Sequence, residues 1–462
     1  MNINELGKYC NESHVGRALL VTLLIMLLQI PAASIEQMVV DRKATQKQAI
    51  NDIQKKWGQT QKIIGPLLVV PYEKKGQWQY QHSADKIKST NPGGVHFGRA
   101  VFLPENLEVI NQLSNESRYR GLFDVPLYQA DITMSGYFSK PRFDDWGIPD
   151  EDVLWKKARL VVLVSDARAI QKQARLSWNG KDYFFEPGTD AATLDTQGYH
   201  VEFDGFDEDK DKYSFTTQLK LNGSESLYVA PLGKDSLIAI SAPWPDPSFQ
   251  GKWLPSSREV SESGFNAQWQ IPYLGRNFSQ KTQQFSNLFS DIQTAVVGVD
   301  LIFPVDNYRM SERSIKYQLL FLVLTFTAIW LIELIAKLRV HIMQYLFIGA
   351  GLCVFYLLEL SLSEHLGFYL AYFIATVAIV VMISAYSLVM LHTGKRAAII
   401  GASLSALYLY LFTLLQEQNY ALVIGSLGLF FMLAVVMYAT RKIDWFKVTQ
   451  IPVFKTQTAE SA

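Results

Sequence analysis

The chain has 462 residues, a formal net charge of zero and two cysteines. The length leaves room for a large folded core beside a membrane part, and the charge balance lacks the basic footprint of a nucleic-acid binder. Cys10 and Cys353 form neither a CxxC pair nor a Cys/His zinc set. A redox dithiol, zinc and other cofactors are therefore not expected, and the stretch between the cysteines folds without disulfides.

Residues 1–14 read as a cytoplasmic N-terminus and 15–35 as the first transmembrane helix. Lys8 and His14 precede the apolar run Val15–Ile35, and Arg17 sits in its first turn. The pattern is signal-like, and Pro31-Ala32-Ala33-Ser34 is a weak small-residue cleavage site. The length of the run favours an uncleaved anchor; cleavage after Ala33 would leave one span fewer.

Residues 36–316 are expected to form a periplasmic, β-rich domain. Ile35–Trp57 reads as a helix continuing out of the membrane. Gly65-Pro66 closes it off, and Leu67–Val70 begins strand-like sequence ended by Pro71. Strands are predicted over Phe123–Tyr128, Ala130–Phe138, Leu160–Val164, Tyr213–Leu221, Leu237–Ala242, Phe265–Ile271 and Val296–Phe303. Tyr213, Phe215, Thr217, Leu219 and Leu221 alternate with polar residues, the period of a half-buried strand. Asn179-Gly180 between Arg175–Trp178 and Lys181–Phe185 predicts a hairpin with a type I′ turn. Many short strands with turn signals point to a sandwich-like fold. The acidic stretch Phe203–Lys212 lacks EF-hand spacing and reads as a solvated loop rather than a calcium site.

Residues 317–440 hold five apolar runs: Tyr317–Ile335, Tyr345–Leu362, Phe368–Leu391, Ala397–Leu415 and Tyr420–Thr440. Each approaches the roughly 20 residues a spanning helix needs. With the first run, they make six transmembrane helices. The breaks alternate in charge. Lys337, Arg339 and His341 follow the first run, Glu364 and His365 the second, His392, Lys395 and Arg396 the third, and Glu417 the fourth. Basic loops stay in the cytoplasm. The block thus enters from outside and ends inside, with residues 441–462, which carry Arg441, Lys442 and Lys447, as a cytoplasmic tail.

Two groups of residues are candidates for function. Trp244, Pro245, Pro247, Phe249, Arg258, Glu259 and Trp269 form a dense Pro- and aromatic-rich stretch. It reads as a binding surface for a peptide, glycan or lipid, or as a rigid loop packed over the sandwich. Glu364 and His365 are expected in the outer hairpin, where they would relay a proton or cap the next helix. Glu359, an ionisable residue within an apolar run, is a further candidate or simply reaches the outer interface, and Glu333 is expected at the inner one. The chain has no HExxH, P-loop or GxGxxG. Ser403 and Ser405 have no histidine at membrane depth to act as a base. Gly349, Gly351, Gly401, Gly425 and Gly428 are expected to let helices approach closely.

Several short motifs together resemble the bacterial inner-membrane CreD family, also labelled cell-envelope integrity proteins, over nearly the whole chain. They are Gly65-Pro66-Leu67 with Pro71, Ser165-Asp166-Ala167-Arg168, Trp244-Pro245 with Pro247-Ser248-Phe249, Leu254-Pro255 and Arg258 through Phe265. Met343-Gln344-Tyr345-Leu346, Leu362-Ser363-Glu364-His365 with Gly367-Phe368, and Ile443-Asp444-Trp445 complete the set. Asp246, in place of His, and Glu359, in place of an apolar residue, depart from the family pattern and count against catalytic roles there. The resemblance implies an inner-membrane protein under two-component control, linked to envelope integrity and to β-lactam or colicin responses. It implies no enzymatic activity.

Three readings follow. The first is a non-enzymatic envelope protein whose partners are the lipid bilayer and an envelope component bound by the outer domain. The second is a transporter or channel. The third is an intramembrane enzyme using Glu364 and His365.

Overall fold

The computed structural model describes residues 14–75, 95–189, 197–203, 206, 210–301, 307–336, 339–391, 393–417 and 420–441. Cys10, most of the acidic loop, Lys337, His392 and all of the tail beyond Arg441 lie outside them. The chain divides into two compact units, Gln48–Pro304 and the remainder, Met1–Lys47 with Val305–Ala462.

Helix α1, His14–Trp57, runs without interruption through Pro31 and Ile35. Seventeen strands follow among the described residues. They are β1 Gln61–Lys75, β2 Val95–Phe102, β3 Asn106–Arg120, β4 Phe123–Ser139, β5 Arg159–Val164, β6 Arg175–Trp178, β7 Lys181–Phe184, β8 Glu186–Pro187 and β9 Gly198–Glu202. After them come β10 Lys212–Gly223, β11 Ser226–Val229, β12 Asp235–Ala242, β13 Pro247–Gly251, β14 Ser257–Ser261, β15 Gly264–Pro272, β16 Lys281–Thr282 and, beyond helix α2 (Phe285–Thr294), β17 Val297–Leu301.

The strands form two sheets. One runs β13-β17-β11-β1-β5-β9-β8, with β2 pairing β1 and β16 pairing β2; the other runs β14-β15-β12-β3-β4-β10-β6-β7. A single apolar core draws on both, including Leu67, Val162 and Val299 from the first and Met134, Phe215 and Trp269 from the second. Tyr128 on β4 crosses between them: its buried hydroxyl donates to the Ser226 carbonyl of β11 at 2.7 Å. Burial pushes that phenol well above its ordinary range. Trp178 and Tyr213 of the second sheet stack on each other and meet Phe206, which follows β9 of the first. Aromatic packing thus closes one end of the sandwich.

β10 buries Tyr213, Phe215, Thr217, Leu219 and Leu221 and exposes the residues between, as its period requires. The β6–β7 hairpin turns on Asn179 and Gly180, both left-handed with φ of 48° and 81°. Other boundaries differ from the sequence reading. The expected strands Phe123–Tyr128 and Ala130–Phe138 are one strand, β4, because Gln129 keeps its place in the ladder opposite Ser114. β1 continues through Gly65-Pro66, with a bulge between Ile64 and Leu67 that absorbs the proline.

The second unit holds α3 Asn307–Lys316, α4 Gln318–Ala336, α5 Ile342–Leu366, α6 Phe368–Leu391, α7 Gly394–Gln416 and α8 Ala421–Thr440. Among the described residues, five helices are long and apolar enough to cross a membrane. A sixth span results if α3 and α4, bent by 45° at their junction, count together. Helix α3 was not anticipated. α5 opens with a capping box: His341 Nδ1 accepts from the Met343 amide at 3.2 Å, and Gln344 accepts from the His341 amide at 2.9 Å. Gly349 is needed where α5 meets α1 and α4, since a Cβ there would run into Leu28 and Phe326. Gly351, Gly401 and Gly428 are similarly close to side chains of neighbouring helices, while Gly425 makes only ordinary contact.

Candidate functional site

The Pro- and aromatic-rich stretch separates into a buried frame and an exposed edge. Trp269 on β15 is fully buried, and its indole N–H donates to the Trp253 carbonyl at 3.0 Å. Phe249 on β13 meets Phe265 and Trp269 edge-on at 5.7 and 5.9 Å. Trp244 is also buried. These rings bind the two sheets together. Pro245 is exposed and Pro247 half-buried at the start of β13. Arg258 and Glu259 lie on β14, an edge strand exposed at every residue.

Beside that edge stand Leu254, of the Leu254-Pro255 motif, and Leu274, which sequence reasoning did not single out. Leu254 is 76 % and Leu274 is 93 % exposed. Their loops touch: a Cβ on Gly275 would lie 3.7 Å from the Trp253 indole nitrogen. The frame beneath is rigid. Trp269 holds Trp253 from one side. Arg276, itself buried, donates to the Leu232 carbonyl at 2.8 Å and to Gln280 Oε1 at 2.7 Å, with Tyr273 and Phe278 rings against its guanidinium. Desolvation pushes Arg276 down to about 10, so it stays charged at neutral pH. Leu254 and Leu274 are thus two exposed apolar side chains on loops held by the frame beneath.

Glu364 and His365 do not lie in a loop. α5 continues to Leu366 and ends at Gly367, whose φ of 78° favours glycine. The pair therefore occupies the last helical turn. Glu364 accepts from the Tyr308 hydroxyl at 2.9 Å and lies 3.6 Å from Arg42 Nε. Those partners offset the unfavourable placement of a carboxylate at a helix C-terminus. His365 points outward and is exposed. The two side chains are adjacent in sequence but serve different surroundings. His365→Ala is expected to leave the melting temperature of the solubilised protein nearly unchanged, within about 0.5 kcal/mol. Tyr308→Phe should lower stability by about 1 kcal/mol, more than His365→Ala, because it removes a hydrogen bond to a charged group.

The carboxylates expected at the interfaces are both buried. Glu333 on α4 is 3 % exposed and is paired with Arg17 of α1; its other oxygen accepts from the Tyr345 hydroxyl at 3.0 Å. Glu359 on α5 is fully buried. Ser311 of α3 donates to Glu359 Oε1 at 2.6 Å, while Oε2 has no partner. Ser314, one turn further along α3, faces the same carboxyl without completing a hydrogen bond. α3 delivers these hydroxyls because Tyr308, Ser311, Ser314 and Ile315 share its buried face. The signal was present in the sequence as the spacing of Tyr308, Ser311 and Ser314. It was hidden because the polar remainder of α3 resembles a linker.

Among the described residues, no group of three or more His, Cys, Asp or Glu is placed to hold a metal ion. Asp166 and Arg168 form a bidentate pair at 2.9 and 3.0 Å, with Arg168 largely exposed. Ser405 donates back to the Gly401 carbonyl at 2.8 Å, an ordinary helix contact.

The model of the family described as "Inner membrane protein CreD" matches residues 13–446. The inner membrane protein CreD of Escherichia coli (strain K12) is 32 % identical over 422 residues, 91 % of each chain. The chain belongs to the CreD family. The spans and the β-rich unit are thus those of an inner-membrane family protein, and its multi-pass placement in that membrane follows. Among solved structures, the M1 zinc metallopeptidase from Deinococcus radiodurans overlaps 37 % of this chain and 38 % of its own, at 8 % identity and a TM-score of 0.18. A substrate-bound variant of that peptidase gives 9 % identity and a TM-score of 0.20, over 37 % of this chain and 39 % of its own.

Proposed function

We propose that this CreD-family protein supports cell-envelope integrity and stress tolerance of the β-lactam or colicin kind, as a non-enzymatic membrane protein. In this reading both termini are cytoplasmic, and residues 36–316 face the periplasm and bind an envelope component. The alternating charge of the breaks between spans supports that orientation.

The observation that carries the binding role is the pair Leu254 and Leu274, 76 % and 93 % exposed on loops pinned by Trp269 and Arg276. A rigid apolar surface presented beside the charged edge of β14 loses little conformational entropy on docking, which favours binding. The partner is an envelope protein with an apolar anchor segment flanked by charges complementary to Arg258 and Glu259.

The test is complementation with Leu254→Ser and Leu274→Ser combined, in cells lacking the protein and exposed to envelope stress. Protection should fall at unchanged membrane levels and unchanged melting temperature. Full protection by the double variant would remove the surface from the account. Glu364→Gln with His365→Ala should retain protection; losing it at normal levels would favour the intramembrane-enzyme or transport reading.

A further inference from the structure

We propose that Glu359, with Ser311 and Ser314, forms a proton-binding site inside the membrane unit. The geometry is that of a built site. The carboxyl is fully buried, one oxygen is held by Ser311 at 2.6 Å, and the other has no hydrogen-bond partner among the described residues. Ser314 Oγ is also buried, faces that carboxyl and lacks a completed hydrogen bond. Two oxygens without partners stand together. The Ser314 hydroxyl can donate to Oε2 when the carboxyl is ionised or accept from it when Oε2 carries a proton, so the pair serves both protonation states.

The charge balance points the same way. The titratable groups facing Glu359 are Tyr356 on its own helix and Tyr372 on α6, with Cys353 of α5 and Tyr408 of α7 close to those phenols. None of these carries positive charge. Of the charged residues of α3, Glu312 is engaged with Lys43 and Lys316, Arg313 donates to the Leu414 carbonyl, and Arg309 occupies an exposed position. Arg17 is paired with Glu333, 26 positions before Glu359 in the sequence. An ionised carboxylate without a cation in a low-dielectric interior is strongly disfavoured, and one serine hydrogen bond offsets little of that cost. Calcium and magnesium take six or more oxygens, whereas the side chains of this cluster offer four, and it lacks the His or Cys ligands usual for zinc.

The site sits on a longer polar row. Cys353, Tyr356, Glu359 and Ser363 share one face of α5. Gln318 of α4 donates to Cys353 Sγ at 3.2 Å, and its own carbonyl oxygen, like the Tyr356 hydroxyl, is buried without a partner. A chain of buried groups able to pass hydrogen bonds is the usual setting of a protonatable carboxyl in a membrane. The membrane unit would then carry a protonation equilibrium of its own besides anchoring the chain.

The experiment is infrared difference spectroscopy of the full-length protein in lipid nanodiscs, comparing neutral with alkaline buffer. The expected result is a neutral-carboxyl carbonyl stretch, of about one group per chain, that disappears on alkaline titration. It should be missing from Glu359→Gln and retained in Glu364→Gln. Ser311→Ala should move the band to higher frequency, because the donor to the carbonyl oxygen is gone; a purely structural serine would not shift it. If Glu359→Gln fails to fold, the Ser311→Ala shift still decides the matter. No band in the unmodified protein, persistence in Glu359→Gln, or no shift in Ser311→Ala overturns the proposal. So does loss of the band on adding sodium at constant pH, which would make the ligand a metal cation.

Discussion

Glu333→Gln will destabilise the membrane unit by about 3–5 kcal/mol, because it leaves the Arg17 guanidinium without its carboxylate among packed helices. Arg17 is 13 % exposed at its side chain and Glu333 2 %, so water does little to screen the pair. In the same substitution Arg17 and Tyr345 are left to share one acceptor oxygen where the carboxylate gave each its own. The readout is the melting temperature of the detergent-solubilised protein and its level in membranes by blot. Removing both charges, with Arg17→Met and Glu333→Leu, should recover most of the loss, since an apolar pair of similar volume avoids desolvating two ions. A single Glu333→Gln that melts with the unmodified protein would mean that the pair is solvated and contributes little. The pair also joins α1 to α4, so its loss should show first as separation of those helices.

Trp269→Ala is expected to cost about 3–5 kcal/mol in the β-rich unit through the cavity it opens. The indole is fully buried and supports Phe249 at 5.9 Å, and its N–H satisfies the Trp253 carbonyl. Trp269→Phe should recover part of the packing but not the hydrogen bond. Urea unfolding followed by circular dichroism measures both. The comparison with Leu254→Ser and Leu274→Ser separates stability from binding. The tryptophan should change the unfolding midpoint, whereas the two leucines should change protection in cells and leave the midpoint in place. If Trp269→Ala left the midpoint unchanged, the ring would not be the packing element described here.

The two candidate groups differ in how readable they were. Trp244, Phe249 and Trp269 stood out as an unusual aromatic cluster, but composition does not say whether a ring points inward. Strand alternation in β15 settles it for Trp269, because Phe265, Ala267, Trp269 and Ile271 all fall on the buried face. Leu254 was visible only as part of Leu254-Pro255 and Leu274 gave no signal, since both have aromatic neighbours, Trp253 and Tyr273, that suit a core as well as a surface. Glu359 was visible as an acid in an apolar run. Its burial depended on α3, a helix too polar to be read as part of the membrane block.

Hydrophobic run length determined the helical spans, because lipid leaves the backbone no other way to satisfy its hydrogen bonds. Alternation and the Asn-Gly turn determined β10 and the β6–β7 hairpin, because those signals act over a few residues. The order of strands in the two sheets and the parallel pairing of β3 with β12 and β1 with β11 were decided only by tertiary structure. So were the meetings of Arg17 with Glu333 and Ser311 with Glu359. Each joins residues far apart in the chain, where local propensity carries no information and only packing of the whole core selects the partner.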